Sequence, residues 1–493
     1  MRNTSPARQA MIKFAPALLL ALCCVASAQT PQATPPPPAP QRAVQFPRPV
    51  EQTLASGLRV IVVERAANPL VAAQLLIKNG GEVDPPELSG LADMTAGLLT
   101  KGTESRDATQ IAEAIEALGG SLDAGARWDA SNATVGVMSS KIDQAIAILA
   151  DVVRHPVFKD EEIERLRQQY LDNIRVSLGQ PGAIARFVGA RVVFGDAPYG
   201  HPLNGTPESL ARIKREDIVK LHGQFYRPDN AILIIGGDIK AQNAFDLAKR
   251  YFGDWQKPPA ALPVPDRNTL ANSKGGRVVV IDKPDAGQAA VYLVRTGIER
   301  RNPDYFRGIV TNSVLSGYSG RLNQEIRIKR GLSYGAASTL DTRREVGPFV
   351  AFAQTKNQSG AQVADLLLGE ISRLATAPPS EGELTPRKAV LVGTFSRNLE
   401  QVNGLVGQIG SLALYGLGLD EINKYIGSVQ GITPADVQKF AVSRLDAKGA
   451  NIVVVGNAKE FLPELSKRFP NLEVIPIAEL DLNTGLLRKK KQQ

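Results

Sequence analysis

The sequence predicts an α+β fold built twice: two homologous domains from one duplicated unit, each a mainly antiparallel sheet packed with helices. Three observations predict it. Strand-like runs come in adjacent pairs, and long amphipathic stretches lie between them. The pattern of the first half also recurs in the second at a near-constant offset, so that Arg59 answers Arg277, Asp217 answers Asp436 and Gly237 answers Gly456. At 493 residues the chain exceeds one ordinary domain, and 43% hydrophobic with 22% charged residues suits a globular protein with a full core.

The first segment, residues 1–28, reads as a signal peptide. Arg2, Arg8 and Lys13 precede the apolar run "FAPALLLALCCVA", and "ASAQT" offers cleavage after Ala28. The run is too short to span a bilayer comfortably, so export without stable membrane insertion is expected, with the periplasm as compartment. Lipid attachment at Cys23 or Cys24 is disfavoured by the bulky Leu22 before them. Both cysteines of the chain lie in this peptide, so the mature protein is expected to have no thiol ligand, thiolate nucleophile or disulfide.

Residues 29–45, with "TPPPPAP", read as a Pro-rich tether. The first domain, 46–256, opens on the strands "GLRVIVVERA" and "LVAAQLLIKNGG". Amphipathic helices follow in "DATQIAEAIEALGG", "KIDQAIAILADVVRH" and "DEEIERLRQQYLDNIRVSL", with the alternating pair "SLDAGARWDASNATVGVMSS" after the first. The loop "GDAPYGHPLNGTPES", the helix "REDIVKLHGQFY" and the strand "NAILIIGGDI" complete it. A Pro-rich linker, 257–275, leads to the second domain, 276–478, which begins on "GRVVVIDKPD" and closes on "TPADVQKFAVSRLDAKGANIVVVGN". Residues 479–493 form a basic tail ending in "LLRKKKQQ", expected to be a solvated end rather than a contact for anionic lipid.

The chemistry is sparse. The formal charge of +9 includes three positive side chains of the leader, and no basic stripe interleaved with aromatics occurs, so nucleic-acid binding is not expected. No P-loop, G-x-S-x-G elbow or EF-hand loop is present. The three histidines, His155, His201 and His222, fall in neither H-x-x-E-H nor H-E-x-x-H, and ordinary structural roles are expected for them. In "GLADMTAGLLTKGT", Asp93, Ala96 and Gly97 stand at i, i+3 and i+4 on one predicted helix face. That spacing suits a metal site, but Ala96 and Gly97 carry nothing that binds a metal.

The second half has one dense polar cluster, "LSGYSGRLNQEIRIKRGLSYGAAST". Gly317, Ser319 and Gly320 make a turn into a helix carrying Arg321, Arg327, Lys329 and Arg330, which Gly331 stops. Tyr334 then falls on the next strand. Arg330 and Tyr334 can both face one groove, where Arg offers a planar fork and Tyr a hydroxyl donor. Alternatively, Arg330 satisfies the helix C-terminus and Tyr334 packs.

Taken together, "NGGEVDPPELSGLADMTAGLLTKGT", "PYGHPLNGTPESL", "RPDNAILIIGGD" and "SGRLNQEIRIKRGLSYG" resemble the pitrilysin-like (insulinase-like) M16 zinc peptidases over nearly the whole mature chain. The resemblance implies the fold of the LuxS/M16 metalloenzymes. In active members the first segment carries H-x-x-E-H, two zinc-binding histidines and a water-activating glutamate. Asp93, Ala96 and Gly97 occupy those positions here, so the motif is degenerate and no metal is expected in this chain. The family's third ligand is a glutamate on a later helix, where this chain offers Asp172 and Asn173. Some members are heterodimers in which a subunit without the zinc motif supplies an Arg and a Tyr, matched here by Arg330 and Tyr334. The resemblance therefore implies a non-catalytic subunit that positions a peptide substrate, zinc being held by an H-x-x-E-H-bearing partner, or a homodimer. A scaffold with no proteolytic role is the alternative, followed by a stand-alone peptidase with an unrecognised site.

Overall fold

The computed structural model describes residues 46–264 and 275–489. The signal peptide with Cys23 and Cys24, the tether, linker residues 265–274 and tail residues 490–493 lie outside the described residues.

Each half forms one six-stranded sheet. The first contains β1 (Val50–Thr53), β2 (Arg59–Glu64), β3 (Leu70–Ile77), β4 (Ser121–Ala126), β5 (Ser131–Met138) and β6 (Ala231–Gly237), in the order β1-β2-β6-β3-β5-β4. The second contains β7 (Val278–Asp282), β8 (Ala289–Thr296), β9 (Ala336–Leu340), β10 (Pro348–Thr355), β11 (Asn451–Gly456) and β12 (Glu473–Pro476), in the order β12-β7-β11-β8-β10-β9. From β2 and β7 onward the orders match strand for strand, as the repeat requires. Among the strand pairs of the described residues, only β2–β6, β7–β11 and β7–β12 are parallel. The expected mainly antiparallel, helix-packed α+β architecture is the one found.

The central strands are continuously apolar because both of their faces are covered. In β2, Val60 and Val62 enter one core while Ile61 and Val63 enter another. In β7, Val278 and Val280 divide from Val279 and Ile281 in the same way. On the first core lie the helices α1 (Leu91–Leu98), which sits on β4 and β5, and α2 (Asp160–Leu178), which packs across α1. The opposite faces are covered by exchange. From the first half, α3 (Pro181–Phe194) crosses to β8 and β11, burying Ile184, Val188 and Val192. From the second half, α4 (Val402–Leu414) lies on β3 and β6, burying Leu405, Val406 and Ile409. At about 1.5–3 kcal/mol per fully buried aliphatic side chain, neither half is complete without the other's helix.

Residues 479–489 depart from the expected solvated tail. They form a strap that returns to the first half, with Leu480, Leu482 and Leu487 buried beside α3. Arg191 Nε donates to the Leu482 carbonyl at 2.9 Å, and Gly485 N–H donates to Asp196 Oδ1 at 2.7 Å. Three buried leucines outweigh the charge of the few basic residues.

The halves also meet at the tips of equivalent hairpins, β4–β5 and β9–β10. The Arg344 guanidinium donates to Glu82 Oε1 at 3.1 Å, the Lys78 carbonyl at 2.7 Å and the Asp129 carbonyl at 3.0 Å, while its backbone N–H donates to Asp129 Oδ2 at 2.8 Å. The hydroxyls of Tyr199 and Tyr415 also donate to the Asp129 carboxylate. Arg343 lies over the rings of Trp128 and Tyr199, at 4.5 and 4.6 Å. Burial pushes the Glu82 carboxyl up from 4.5 to about 7, against the opposing pull of Arg344. Between those two values the native chain keeps a proton that the unfolded chain has lost. Glu82 therefore makes stability fall as pH rises through this window, by up to about 1.4 kcal/mol per pH unit. Glu82→Gln is expected to flatten that part of the urea-denaturation profile against pH.

Candidate functional site

The loop before α1 is built to hold the helix start. Asp84 accepts from the backbone N–H groups of Gly90 and Ala92, both at 2.8 Å, and so satisfies donors that the helix leaves free. Gly90 has φ of 94°, and a Cβ there would come within 2.9 Å of Gly205, so the "NGT" loop sits directly on this turn. His201 belongs to the same support, its Nε2 3.0 Å from the Gly81 carbonyl and its Nδ1 3.1 Å from that of Pro202; burial pushes its pKa down to about 4. His222 meets the Val153 carbonyl and stacks on Tyr226, and the His155 N–H closes onto the Asp151 carbonyl.

Asp93 is buried, 8% exposed. Its carboxylate accepts from the Ala126 N–H at 3.2 Å, the Tyr170 hydroxyl at 3.0 Å and Asn204 Nδ2 at 2.6 Å. Burial raises its pKa, and these three donors oppose the rise. Ala96 is fully buried. A Cβ at Gly97 would meet Leu166 Cδ2 and Tyr170 Oη at 3.3 Å, so the space beside Gly97 is taken by α2.

Neither of the two residues at the third-donor position bonds Asp93. Asp172 and Asn173 are exposed, and Asp172 bonds Arg175 at 2.6 Å and Gln168 at 3.1 Å. Tyr170 is the α2 residue that reaches Asp93. The apolar period of α2, with Ile163, Leu166 and Ile174 buried, puts Tyr170 on the inner face and Asp172 and Asn173 off it. That signal was available in the sequence.

Catalytic zinc needs three ligands and an open position. Asp93 has its oxygens engaged by three donors, and Ala96 and Gly97 have none to offer. Among the described residues, no group of three or more His, Cys, Asp or Glu converges to hold a metal. The residues present do not fit zinc, and Ala96 offers no general base.

The second cluster differs from expectation in two ways. The helix from Arg321 is one short α-turn, Arg321–Asn323, followed by a π-turn, Gln324–Ile328. Tyr334 precedes β9 rather than lying on it. Gly331, at φ of 63°, ends the turn. Arg330 is held from within: its Nε and Nη2 donate to Glu325 Oε1 at 3.0 and 2.7 Å. Tyr334 is 89% exposed. Ser333 Oγ and the Gly335 backbone close the loop beneath it. Glu325, Tyr170 and Asn204 are residues of these clusters that sequence reasoning passed over. Among the described residues no hydrogen bond or ion pair joins Arg330 or Tyr334 to Asp93.

Comparison with known proteins gives the family of the fold. A family profile described as insulinase, peptidase family M16, matches residues 59–186, and one described as the peptidase M16 inactive domain matches residues 212–391. An uncharacterised zinc protease of Mycobacterium leprae is 26% identical over 413 residues, covering 83% of this chain and 93% of that protein. The crystal structure of a peptidase M16 inactive domain from Pseudomonas fluorescens superposes with a TM-score of 0.76 at 25% identity, covering 83% of this chain and 98% of that one. The periplasmic protease PqqL of Escherichia coli shares the fold, with a TM-score of 0.68 at 16% identity over 88% of this chain and 51% of its own. No helix among the described residues is long and apolar enough to cross a membrane.

Proposed function

From the premise that the chain belongs to the M16 peptidase family, we propose that it is the non-catalytic, substrate-positioning subunit of an exported, periplasmic peptidase. Its partner is an M16 chain carrying H-x-x-E-H, and the substrates are peptides or unfolded polypeptides. Zinc belongs to that partner. The observation that carries this reading is the contrast between the two clusters. The Asp93 side is closed on itself by Tyr170, Asn204 and the Ala126 N–H. The Arg330 side is open, with a half-exposed guanidinium and a Tyr334 side chain standing in solvent.

Arg330 and Tyr334 bind the peptide by hydrogen bonds to its backbone and carbonyl groups. They hold the scissile bond for chemistry that the partner performs. Among the described residues the Tyr334 hydroxyl has no protein partner, so it is available as a donor.

The test is co-expression with an H-x-x-E-H-bearing relative from the same genome. The two chains are expected to co-purify and to cleave an internally quenched peptide, while this chain alone leaves it intact. Co-purification with a larger assembly and no cleavage in any pairing would instead establish a scaffold role.

A further inference from the structure

Arg330 is not placed by the strand or by a helix cap. It is placed by one carboxylate, and the backbone is bent in a particular way to allow it. Glu325 stands five residues before Arg330. On a regular α-helix, residues five apart point about 140° away from each other and cannot pair. Here Gln324–Ile328 is a π-turn, in which the Lys329 N–H reaches the Gln324 carbonyl, at 2.9 Å. Widening the turn rotates the residues that follow it, and Arg330, two residues past its end, comes back to the side of Glu325. Glu325 then holds two cations at once: Lys329 Nζ at 3.0 Å on Oε2, and the Nε and Nη2 of Arg330 on Oε1.

The anchor is firm and the held group is not. Glu325 is buried, 9% exposed, whereas the Arg330 side chain is 44% exposed. A long, half-exposed side chain is thus tied at its inner edge to a buried carboxylate. Arg carries five N–H donors in a planar fork, and Glu325 engages only Nε and Nη2, so the Nη1 edge is left for a ligand. Loose placement of such a donor is costly, since a displacement of about 1 Å lowers catalytic rates about 10²-fold.

We propose that Glu325 is a positioning residue for Arg330, and that the π-turn exists to bring these two side chains together so that the guanidinium presents its outer edge to the bound peptide. This rests on the reading of Arg330 as a substrate-binding group, and the experiment separates the two.

One arm uses this chain alone, labelled with ¹⁵N-arginine. The Arg330 Nε–H resonance, assigned by its loss in Arg330→Lys, is expected to be protected from exchange. In Glu325→Ala it is expected to exchange at least about 10-fold faster, with the Arg321 resonance, held by Glu383 at 2.6 and 2.9 Å, unchanged. The second arm uses the assembled pair and an internally quenched peptide. Glu325→Ala is expected to lower kcat/KM about 10²-fold. The double variant Glu325→Ala/Arg330→Ala is expected to be no slower than Arg330→Ala alone. Full activity in Glu325→Ala beside an impaired Arg330→Ala, or effects that multiply in the double variant, would overturn the positioning role. If Arg330→Ala itself is fully active, the substrate-binding reading fails. The resonance alone then decides the pairing: faster exchange upholds it and unchanged exchange refutes it. Should Glu325→Ala not fold, Glu325→Gln, which keeps the shape and removes the charge, is read by the same outcomes.

Discussion

Replacing Arg330 by alanine in the assembled pair is expected to lower kcat/KM about 10²–10³-fold, the loss typical of one donor aimed at a reacting carbonyl. The expectation follows from what the side chain can do. Its inner edge is occupied by Glu325, and its outer edge leaves N–H donors free for a ligand, while Tyr334, four residues on, is exposed. Alanine removes the fork without disturbing the core, because Arg330 is exposed and Glu325 retains Lys329 at 3.0 Å. The fold and the partner contact should survive, so the loss should be in turnover rather than in assembly. Tyr334→Phe removes one neutral hydroxyl, worth about 1 kcal/mol, and should cost only about 5- to 10-fold. Steady-state kinetics of both variants, with co-purification as the control, test this. Equal activity in wild type and both variants would remove these residues from the substrate site.

Replacing Arg344 by alanine is expected to destabilise the chain by about 3–5 kcal/mol, the range for taking one partner from a buried charge cluster. Glu82 and Asp129 are 8% and 3% exposed, and Arg344 is the cation that faces both of them across the two halves. Without it, Glu82 has only Asn79 and the Gly80 N–H, and the Lys78 carbonyl loses its side-chain donor. The backbone bond from residue 344 to Asp129 survives, so the clasp weakens rather than opens. A large fall in the urea midpoint is expected, together with faster amide exchange in the two hairpin tips. A shift equivalent to less than about 1 kcal/mol would show that the exchanged helices hold the halves unaided.

Much of this architecture was legible in the sequence, and the parts that were not share a cause. Helices with one wet face announced themselves: the predicted stretch from Asp160 to Leu178 is α2 residue for residue. The repeat also fixed equivalent landmarks, since Asp217 and Asp436 close equivalent helix-start turns and Gly237 and Gly456 end equivalent strands. The exchanged helices α3 and α4 carry no such signal. In α3 the buried set runs through Gly182, Ile184, Ala185, Val188, Gly189, Arg191 and Val192, so apolar residues cover most of its circumference. A helix sandwiched between a sheet and its neighbours shows no one-sided period, and nothing in the sequence says which sheet it covers. The π-turn was hidden for a related reason. An α-helical register through Arg321–Arg330 fits the sequence locally, and the wider turn shows only in the structure, in the Lys329 N–H bond to the Gln324 carbonyl and the pairing of Glu325 with Arg330. The degenerate motif could be read directly, because Ala96 and Gly97 have no ligand atoms. Its closure by Tyr170 required the inner stripe of α2 to be followed past Asp172.

The central claim is that this chain cannot hold a catalytic zinc of its own. Metal analysis of the chain purified alone, after equilibration with zinc and removal of the excess, tests it most directly. Far less than one equivalent of zinc, with no chelator-sensitive peptide cleavage, is the predicted result. About one tightly held zinc per chain, with cleavage that a chelator abolishes and zinc restores, would contradict it.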